Sequence, residues 1–283
     1  MTLVRHDGGV RALFAADLTD QTLGLAWLGQ AGFALRFGAK RVLIDPYLSD
    51  HLAIKYAGTA FPHTRLMSPP VLAGELRDLD LVLCSHRHGD HMDPGSLAIL
   101  AARNACCRFV IPRAEVAAAR AIGLDADRLI PVNDGDALCL LGALEIHAIA
   151  SAHETRRVNE QGEHHFLGFI MRFAGKTLYH PGDCVIYEGL AERLRQWRVD
   201  LALLPVNGHS AYLGSRGVPG NMDFHQAATL CLAAGIPAMI PHHFGMFAFN
   251  TVERSELQSR IDDLDAARLS CTLPLANEYS ILA

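Results

Sequence analysis

The stretch Leu81-Val82-Leu83-Cys84-Ser85-His86-Arg87-His88-Gly89-Asp90-His91-Met92-Asp93 indicates most about how this chain is organised. Residues 81–84 are apolar, and the run 81–85 predicts a short buried strand. Three histidines and a carboxylate then follow within six residues, in the spacing H-x-H-x-D-H. Imidazole and carboxylate groups are ligands for divalent metals, and α/β folds place their sites at the carboxyl ends of strands. The stretch therefore predicts a strand that ends in a metal-binding loop.

The loop is followed by a helix and holds more ligands than one metal needs. Asp93-Pro94 before the apolar residues 95–100 is typical of a helix start, with a capping carboxylate and a proline in the first turn. Four ligands in the loop are too many for one open tetrahedral site that also takes ligands from elsewhere in the chain. Their number indicates a two-metal centre. The alternative is that these are loop histidines with no shared role.

Composition and charge narrow the function classes. With 283 residues and 50% hydrophobic composition, the chain can bury a large core. Its formal net charge of −5 gives no basic field for nucleic acid. No apolar run approaches the ~20 residues of a membrane span, and the N-terminus lacks a secretory pattern. The seven cysteines are odd in number and lie mostly in apolar runs, which favours reduced thiols. We therefore expect a cytoplasmic protein without nucleic-acid or membrane partners.

The order of apolar runs predicts a mixed α/β organisation. Residues 23–28, 31–37 and 41–45 have the spacing of a β-meander, and residues 46–70 read as a long loop. Strand-rich blocks at both ends of an alternating middle, with no linker between them, predict one α/β domain over residues 1–283, with two sheets inside and helices outside. Further strands are predicted at 108–111, 128–132, 137–150 (two strands), 166–173, 176–180, 200–206 and 237–241, and helices at 113–122, 188–197, 223–234 and 252–266.

Three other predicted strand ends carry candidate ligands next to loops. His153 ends an apolar run, Asp183 lies on a Pro-Gly-Asp turn, and His242 and His243 follow the strand near the C-terminus. His153 could also be a surface histidine, and Asp183 a simple turn former. Adjacent residues on an extended chain face opposite ways, so only one of His242 and His243 should point to the metals. The residues alone leave open which one does.

Taken together, these motifs resemble the metallo-β-lactamase superfamily, over essentially the whole chain. The shared features are H-x-H-x-D-H at 86–91, a later strand-end histidine, a Gly-Asp turn and a last strand-end histidine. The resemblance implies a four-layer αββα sandwich of two mixed sheets with helices outside, and a site at one rim between the sheets. It implies that one metal is held by His86, His88 and His153, that the other is held by Asp90, His91 and the last histidine, and that Asp183 bridges them.

Within that superfamily the chain is most similar to the L-ascorbate-6-phosphate lactonase group. In that group's Pro-x-His-[Tyr/Phe] pattern the ligand is the second residue after proline, which selects His243 over His242. The chain departs from the group at two places: Arg87 replaces a commoner small or acidic residue, and His209-Ser210 stands where charged residues are usual. Both departures concern the substrate more than the metals. The matching segments are Trp27-Leu28-Gly29-Gln30, residues 44–50, Leu204-Pro205-Val206-Asn207-Gly208, residues 220–224 and residues 240–251.

The resemblance implies a metal-dependent hydrolase with two divalent ions, Zn²⁺ or Mn²⁺. Two divalent ions carry a charge of +4, and Asp90, Asp183 and a bridging hydroxide each carry −1. The net charge of the site is therefore about +1, which favours a small anionic substrate. Asp90 and Asp183 are the expected catalytic carboxylates, since they hold the ions that activate the hydroxide. The expected activity is a lactonase opening a small sugar lactone, which the resemblance allows to be phosphorylated. The alternatives are a phosphodiesterase or nuclease of the same superfamily and a non-hydrolytic metal or redox protein.

Several other residues are candidates around the metals. Asp45 is a candidate for orienting a metal-bound histidine, although a strand-ending Asp before proline is equally ordinary. His180 could act in the same way or pack in the core. The candidates for substrate binding lie in loops or at helix starts, where Asn and Asp are also normal caps. The sequence leaves homo-oligomerisation open. The substrate-binding candidates are His209, Asn221, Asp223 and Asn250.

Overall fold

Two β-sheets packed face to face form the centre of the computed structural model, which describes residues 3–282. Within these residues there are fifteen strands. The strands are β1 (Leu3–Asp7), β2 (Leu23–Gly29), β3 (Gly32–Phe37), β4 (Lys40–Ile44), β5 (Leu81–Leu83), β6 (Arg108–Pro112), β7 (Leu129–Val132), β8 (Ala137–Leu140), β9 (Leu144–Ala150), β10 (Leu167–Phe173), β11 (Lys176–His180), β12 (Leu201–Pro205), β13 (Ala238–His242), β14 (Ser270–Cys271) and β15 (Glu278–Leu282).

Helices cover the outer faces of both sheets. Short 3₁₀ turns at Ala73–Glu75, Arg113–Glu115 and Ala126–Arg128 complete the regular structure. None of the helices within residues 3–282 has the length and apolar character needed to cross a membrane. The α-helices are α1 (Gly9–Ala15), α2 (His51–Lys55), α3 (Pro94–Arg103), α4 (Val116–Ala121), α5 (Leu190–Trp197), α6 (Ala211–Gly214), α7 (Phe224–Ala234) and α8 (Arg254–Asp262).

Both sheets are mixed, which confirms the predicted fold class. The first has the order β1-β15-β2-β3-β4-β5-β6-β7, and the second β14-β13-β12-β11-β10-β9-β8. In the first sheet, β4 to β7 pair in parallel and the remaining neighbours pair antiparallel. In the second, β11 to β14 are parallel and β8 to β11 antiparallel. The parallel strands therefore end at a common edge of each sheet, where loops that carry ligands can meet.

The apolar side chains divide into layers that explain this arrangement. One large cluster lies between the sheets, where Phe33, Phe37 and Phe169 are completely or almost completely buried. A second cluster joins the outer face of the first sheet to α1, α3 and α4, with Leu97 and Leu100 among its members. Strands β5, β12 and β13 are buried at every position because both of their faces are covered. This accounts for their continuous apolar sequences.

The predicted elements are mostly present, with shifted bounds. The meander is β2 to β4, and the helix predicted after Asp93 is α3, whose first turn donates from the Gly95 N–H to the Asp93 carboxylate. The predicted helix 252–266 is shorter, because α8 ends at Asp262. The predicted loop 46–70 contains the short helix α2, and the segment after β12 contains the short helix α6. Both matter below, because residues of α2 and residues that follow α6 line the cavity of the site.

Candidate metal centre

The loops that follow strands of both sheets converge at one edge and bring the predicted ligands together. The H-x-H-x-D-H loop follows β5 of the first sheet. His153 follows β9, Asp183 follows β11, and His243 follows β13, all in the second sheet. Each lies one to three residues beyond its strand, where the backbone leaves the sheet and the side chain is free to point to the rim. The site therefore spans the seam between the sheets.

The side chains form two groups with the geometry needed to hold metal ions. In each group, every residue offers a nitrogen or a carboxylate oxygen, and these atoms lie within 4.8 Å of one another. Only His88 and Asp90 are partly exposed, and the other members are buried. The grouping coincides with the division that the superfamily resemblance implies. The first group is His86, His88, His153 and Asp183, and the second is Asp90, His91 and His243.

The Asp183 carboxylate lies between the two groups. Its Oδ1 is 3.2 Å from His91 Nε2 and 3.1 Å from His243 Nε2. Its Oδ2 is 3.5 Å from His153 Nε2 and 4.0 Å from His86 Nε2. One oxygen thus faces each group, as a bridging ligand requires. The turn that carries Asp183 packs closely against Ser85, because a Cβ at Gly182, where φ is +66°, would lie 2.4 Å from Ser85 Oγ.

Asp45 orients His91 through the ring nitrogen that faces away from the cluster. His91 Nδ1 donates to Asp45 Oδ2 at 2.7 Å, which leaves His91 Nε2 facing the cluster. Ser85 donates to the same carboxylate from its backbone N–H at 2.7 Å and from its hydroxyl at 2.6 Å. A carboxylate that accepts the second N–H of a ligating imidazole fixes its tautomer and increases its basicity. Asp45 makes the contact expected of a residue in that role.

Gln30 is a contributor that the sequence did not identify as part of the site. It lies in the tight turn between β2 and β3, with φ at +49°. Its side-chain amide donates to Asp90 Oδ2 at 2.8 Å and lies 3.1 Å from His243 Nε2. Its carbonyl also accepts the backbone N–H of His243 at 2.9 Å. Gln30 therefore holds two members of the second group in place.

The structure separates His242 from His243. His243 adopts φ at +61° immediately after β13, which turns its side chain into the cluster. His242 is the last residue of β13 and stacks on His180, with ring centroids 5.0 Å apart. The two ring nitrogens of His180 contact backbone groups, Nε2 the Ala31 carbonyl at 2.8 Å and Nδ1 the Gly182 N–H at 3.1 Å. His180 thus packs beneath the turn that carries Asp183 and makes no hydrogen bond to the clustered imidazoles.

Electrostatics favour neutral donors in the first group. Burial lowers the pKa of His86 well below its ordinary value, and the neighbouring His91 imidazole lowers it further. Burial and the His153 imidazole together lower the pKa of His88 to about 4. At neutral pH both rings are therefore uncharged and have a lone pair available, as a metal ligand must.

Around the second group, the Asp90 and Asp183 carboxylates attract positive charge. Burial alone would lower the pKa of His243, but the Asp183 and Asp90 carboxylates outweigh it and raise that pKa to about 9. Burial likewise opposes the ionisation of Asp183, yet the surrounding histidines, His243 and His91 foremost, hold its pKa well below the usual range. The carboxylates thus stabilise a cation at this position, and a divalent ion can supply that charge in place of protons.

Unpaired nitrogens support the same interpretation. Within residues 3–282, His86 Nε2 and His91 Nε2 are buried without a hydrogen-bond partner. A buried polar atom without a partner costs free energy, and native structures seldom leave one without a reason. Both atoms face the cluster that holds Asp183. The residues present therefore fit bound metal.

A cavity of about 830 Å³ opens above the cluster. Its floor includes His88, Asp90, His153, Asp183 and His243. Aromatic side chains form one wall, in which His63 stacks on Tyr56 at 4.2 Å and contacts Phe249 at 4.8 Å between ring centroids. A volume of this size suits a small molecule. The other lining residues are Leu52, Lys55, Thr59, Ala60, Phe61, Arg87, Gly89, residues 216–219, Phe247 and Asn250.

Of the four substrate-binding candidates, only Asn250 lines this cavity. Asp223 caps α7 by accepting from the Gln226 N–H at 2.8 Å. Asn221 is buried and donates to Asn207, which in turn donates to the Asn250 side chain. His209 lies outside the lining, with Nδ1 3.4 Å from the Asn221 carbonyl. Helix capping therefore describes Asp223 better than substrate contact does, and Asn221 is a buried residue that supports Asn207.

The fold and the cluster together define an αββα protein with a candidate two-metal centre. A family model described as "Beta-lactamase superfamily domain" matches residues 40–244. The chain therefore belongs to the metallo-β-lactamase superfamily. A "UPF0173 metal-dependent hydrolase" of Caldivirga maquilingensis is 26% identical over 223 residues, which are 79% of this chain and 82% of that protein.

Solved structures agree on the fold. Igni18, described as a novel metallo hydrolase from Ignicoccus hospitalis, gives a TM-score of 0.67 at 20% identity and covers 93% of this chain and 99% of its own. An isothiocyanate hydrolase from Delia radicum gut bacteria gives 0.70 at 17% identity, with 92% of this chain and 98% of that chain covered. At these identities the likeness concerns the fold. The narrower resemblance to the lactonase group is carried by neither of these comparisons nor by the family model.

We expect Asp45→Asn to weaken metal binding about 10- to 100-fold, the usual effect of losing an outer partner of a ligand. The amide keeps the shape of the carboxylate but removes its charge, and with it the strong acceptor for His91 Nδ1. Competition with a chromogenic chelator measures the affinity. Asp50→Asn is the control, because Asp50 is exposed and its side chain makes no capping bond to α2. Equal affinities in the two variants would contradict the role assigned to Asp45.

Proposed function

We propose that the protein is a dinuclear metal-dependent lactonase that opens a small anionic lactone. The observation that carries the proposal is the pair of ligand groups on either side of Asp183, at the floor of a cavity of about 830 Å³. His86, His88 and His153 would hold one ion, and Asp90, His91 and His243 the other. Asp183 would contribute one oxygen to each. Zn²⁺ suits the histidine-rich donor set, and the lactonase resemblance also admits Mn²⁺.

When bound, the ions lower the pKa of water toward ~7, which supplies hydroxide at neutral pH, and they polarise the attacked carbonyl. The chain's own residues determine where this happens. Asp45 and Gln30 fix His91, Asp90 and His243, so the second group is rigid before substrate arrives. Water adds to the lactone carbonyl, the ring acyl–oxygen bond breaks, and the products are a carboxylate and a hydroxyl on one molecule.

The cavity walls support an anionic substrate of modest size. Lys55, Arg87 and Arg216 line the cavity, whereas its two acidic side chains, Asp90 and Asp183, belong to the proposed metal ligands. With the ions bound, the whole cavity would be positively charged. The aromatic wall offers a flat apolar surface for a ring. A nuclease needs a continuous cationic track, and a net charge of −5 does not favour one.

The test is a hydrolytic screen of the metal-loaded protein. The panel holds neutral and phosphorylated sugar lactones, a model phosphodiester and an isothiocyanate, the last because a protein of similar fold is named for that activity. We expect turnover on lactones that His88→Ala abolishes. Turnover confined to the phosphodiester or the isothiocyanate, or no turnover on any lactone, would overturn the proposal.

A further inference from the structure

Arg87 lies between the first two histidines of the loop, and its side chain is not part of the metal cluster. Arg87 lines the cavity, together with its neighbours His88 and Gly89. Its side chain is 54% exposed, and within residues 3–282 its guanidinium makes no hydrogen bond, only a loose ion pair from Nε to Glu115 Oε2 at 3.9 Å. An arginine fork with free donors at the wall of a cavity is suited to bind an oxyanion in bidentate fashion.

The partner of Arg87 is a buried carboxylate. The Glu115 side chain is only 3% exposed, and its other oxygen accepts from His165 Nδ1 at 2.6 Å. Burying a carboxylate is costly unless charged or donating groups compensate it. Since His165 occupies Oε1, Oε2 remains to attract Arg87 from one side. This draws the Nε side of the guanidinium toward Glu115 and leaves its two terminal nitrogens for a ligand.

We propose that Arg87 determines substrate specificity by binding an anionic substituent, a carboxylate or a phosphate, remote from the carbonyl that reacts, and that Glu115 positions Arg87 for this contact. The inference rests on the proposed function, because it names the part of the substrate that this site selects. Neither of the other cations of the wall is held in the same way. Arg216 lies over the Tyr212 ring at 3.9 Å and Lys55 over the Tyr56 ring at 5.1 Å, and no carboxylate lies within ion-pair distance of either in residues 3–282.

Matched lactones test the proposal. D-Glucono-1,5-lactone and its 6-phosphate share one ring and differ in the charged group, and D-glucono-1,4-lactone and D-glucaro-1,4-lactone make the same comparison for a carboxylate. We expect the wild-type chain to prefer a charged lactone by about 10- to 100-fold in kcat/KM, the effect of one charge-assisted bidentate contact. Arg87→Ala should remove that preference. Arg87→Lys, which keeps the charge without the fork, should retain only part of it.

Glu115→Gln should raise KM for the charged lactone while kcat stays unchanged, a split that general loss of structure would not produce. Arg113→Ala is the control, because this exposed arginine pairs with Asp136 and Glu163 and lies outside the cavity lining. Metal content is measured for every variant. An unchanged preference in Arg87→Ala, with wild-type metal content, would overturn the inference.

Binding of the open products tests Arg87 separately from turnover. Calorimetry compares gluconate with 6-phosphogluconate, and gluconate with glucarate, on the metal-loaded wild-type and Arg87→Ala chains. A gain in affinity from the added anion in the wild type, lost in the variant, supports the inference even if no lactone is hydrolysed, an outcome that would overturn the proposed function alone. The absence of such a gain in the wild type, or an equal gain in both chains, contradicts the inference even if lactones are hydrolysed.

Discussion

Replacing Asp183 with asparagine should reduce turnover by more than about 100-fold. Loss of a residue that only hydrogen-bonds a metal ligand typically costs up to about 100-fold, and Asp183 is a proposed ligand itself. Asparagine has the same shape but lacks the negative charge that lies between the two groups. His91 and His243 would lose the carboxylate oxygen that lies 3.2 and 3.1 Å from their Nε2 atoms. We also expect the bound metal to fall from two ions per chain toward one.

Elemental analysis after reloading, together with kcat, checks this result. Asp78→Asn is a matched control, because the Asp78 side chain is 83% exposed and, among the residues that the structure describes, forms an ion pair with Arg41 alone. Its φ of +57° is one that asparagine tolerates well. If Asp183→Asn kept two ions and full turnover, Asp183 could not be the bridging ligand.

His153→Ala should reduce metal binding and turnover about as much as Asp183→Asn does, whereas His147→Ala should leave metal binding intact. His153 faces Asp183 Oδ2 at 3.5 Å and belongs to the first group. His147 lies within β9 and packs on Trp197, with ring centroids 4.3 Å apart. Removing it deletes an apolar contact at the surface of the second sheet and no proposed ligand.

Metal affinity by chelator competition distinguishes the two variants, and thermal unfolding shows that both fold. Restoration of metal binding to His153→Ala by added imidazole would strengthen the assignment. Equal metal affinity in His153→Ala and His147→Ala would show that the first group is held by other residues.

The sequence predicts the layout of this site well because its ligands lie at strand ends. Apolar runs reveal buried strands, and a polar residue directly after such a run marks the rim of a sheet. This marks His86, His153 and Asp183 as candidates at the rim of a sheet, and the superfamily pattern then assigns them to one site. The choice of His243 over His242 needed the family pattern, because alternation along a strand shows only that adjacent side chains face opposite ways. In the structure the choice follows from the left-handed backbone at His243.

Contacts made by residues in turns and loops follow no sequence periodicity, so the pattern of apolar residues does not predict them. Gln30 reaches the cluster from a tight turn, and its role depends on the register between the two sheets. The cavity wall is built by side chains of α2 and of the segments after α6 and β13, such as Lys55, Arg216 and Phe249. Strand β1 is also missing from the prediction, because Leu3-Val4-Arg5-His6-Asp7 has no clear alternation and forms an edge strand beside β15. Tertiary pairing, rather than local pattern, defines these parts.

The most direct test of the dinuclear centre is the metal stoichiometry of the reloaded wild-type chain, measured by native mass spectrometry and elemental analysis. We expect two divalent ions per chain. His88→Ala and His243→Ala, which remove one proposed ligand from each group, should each reduce the count toward one. A wild-type count well below two after careful reloading, or a count that neither variant changes, would contradict the assignment of these seven residues to two metal sites.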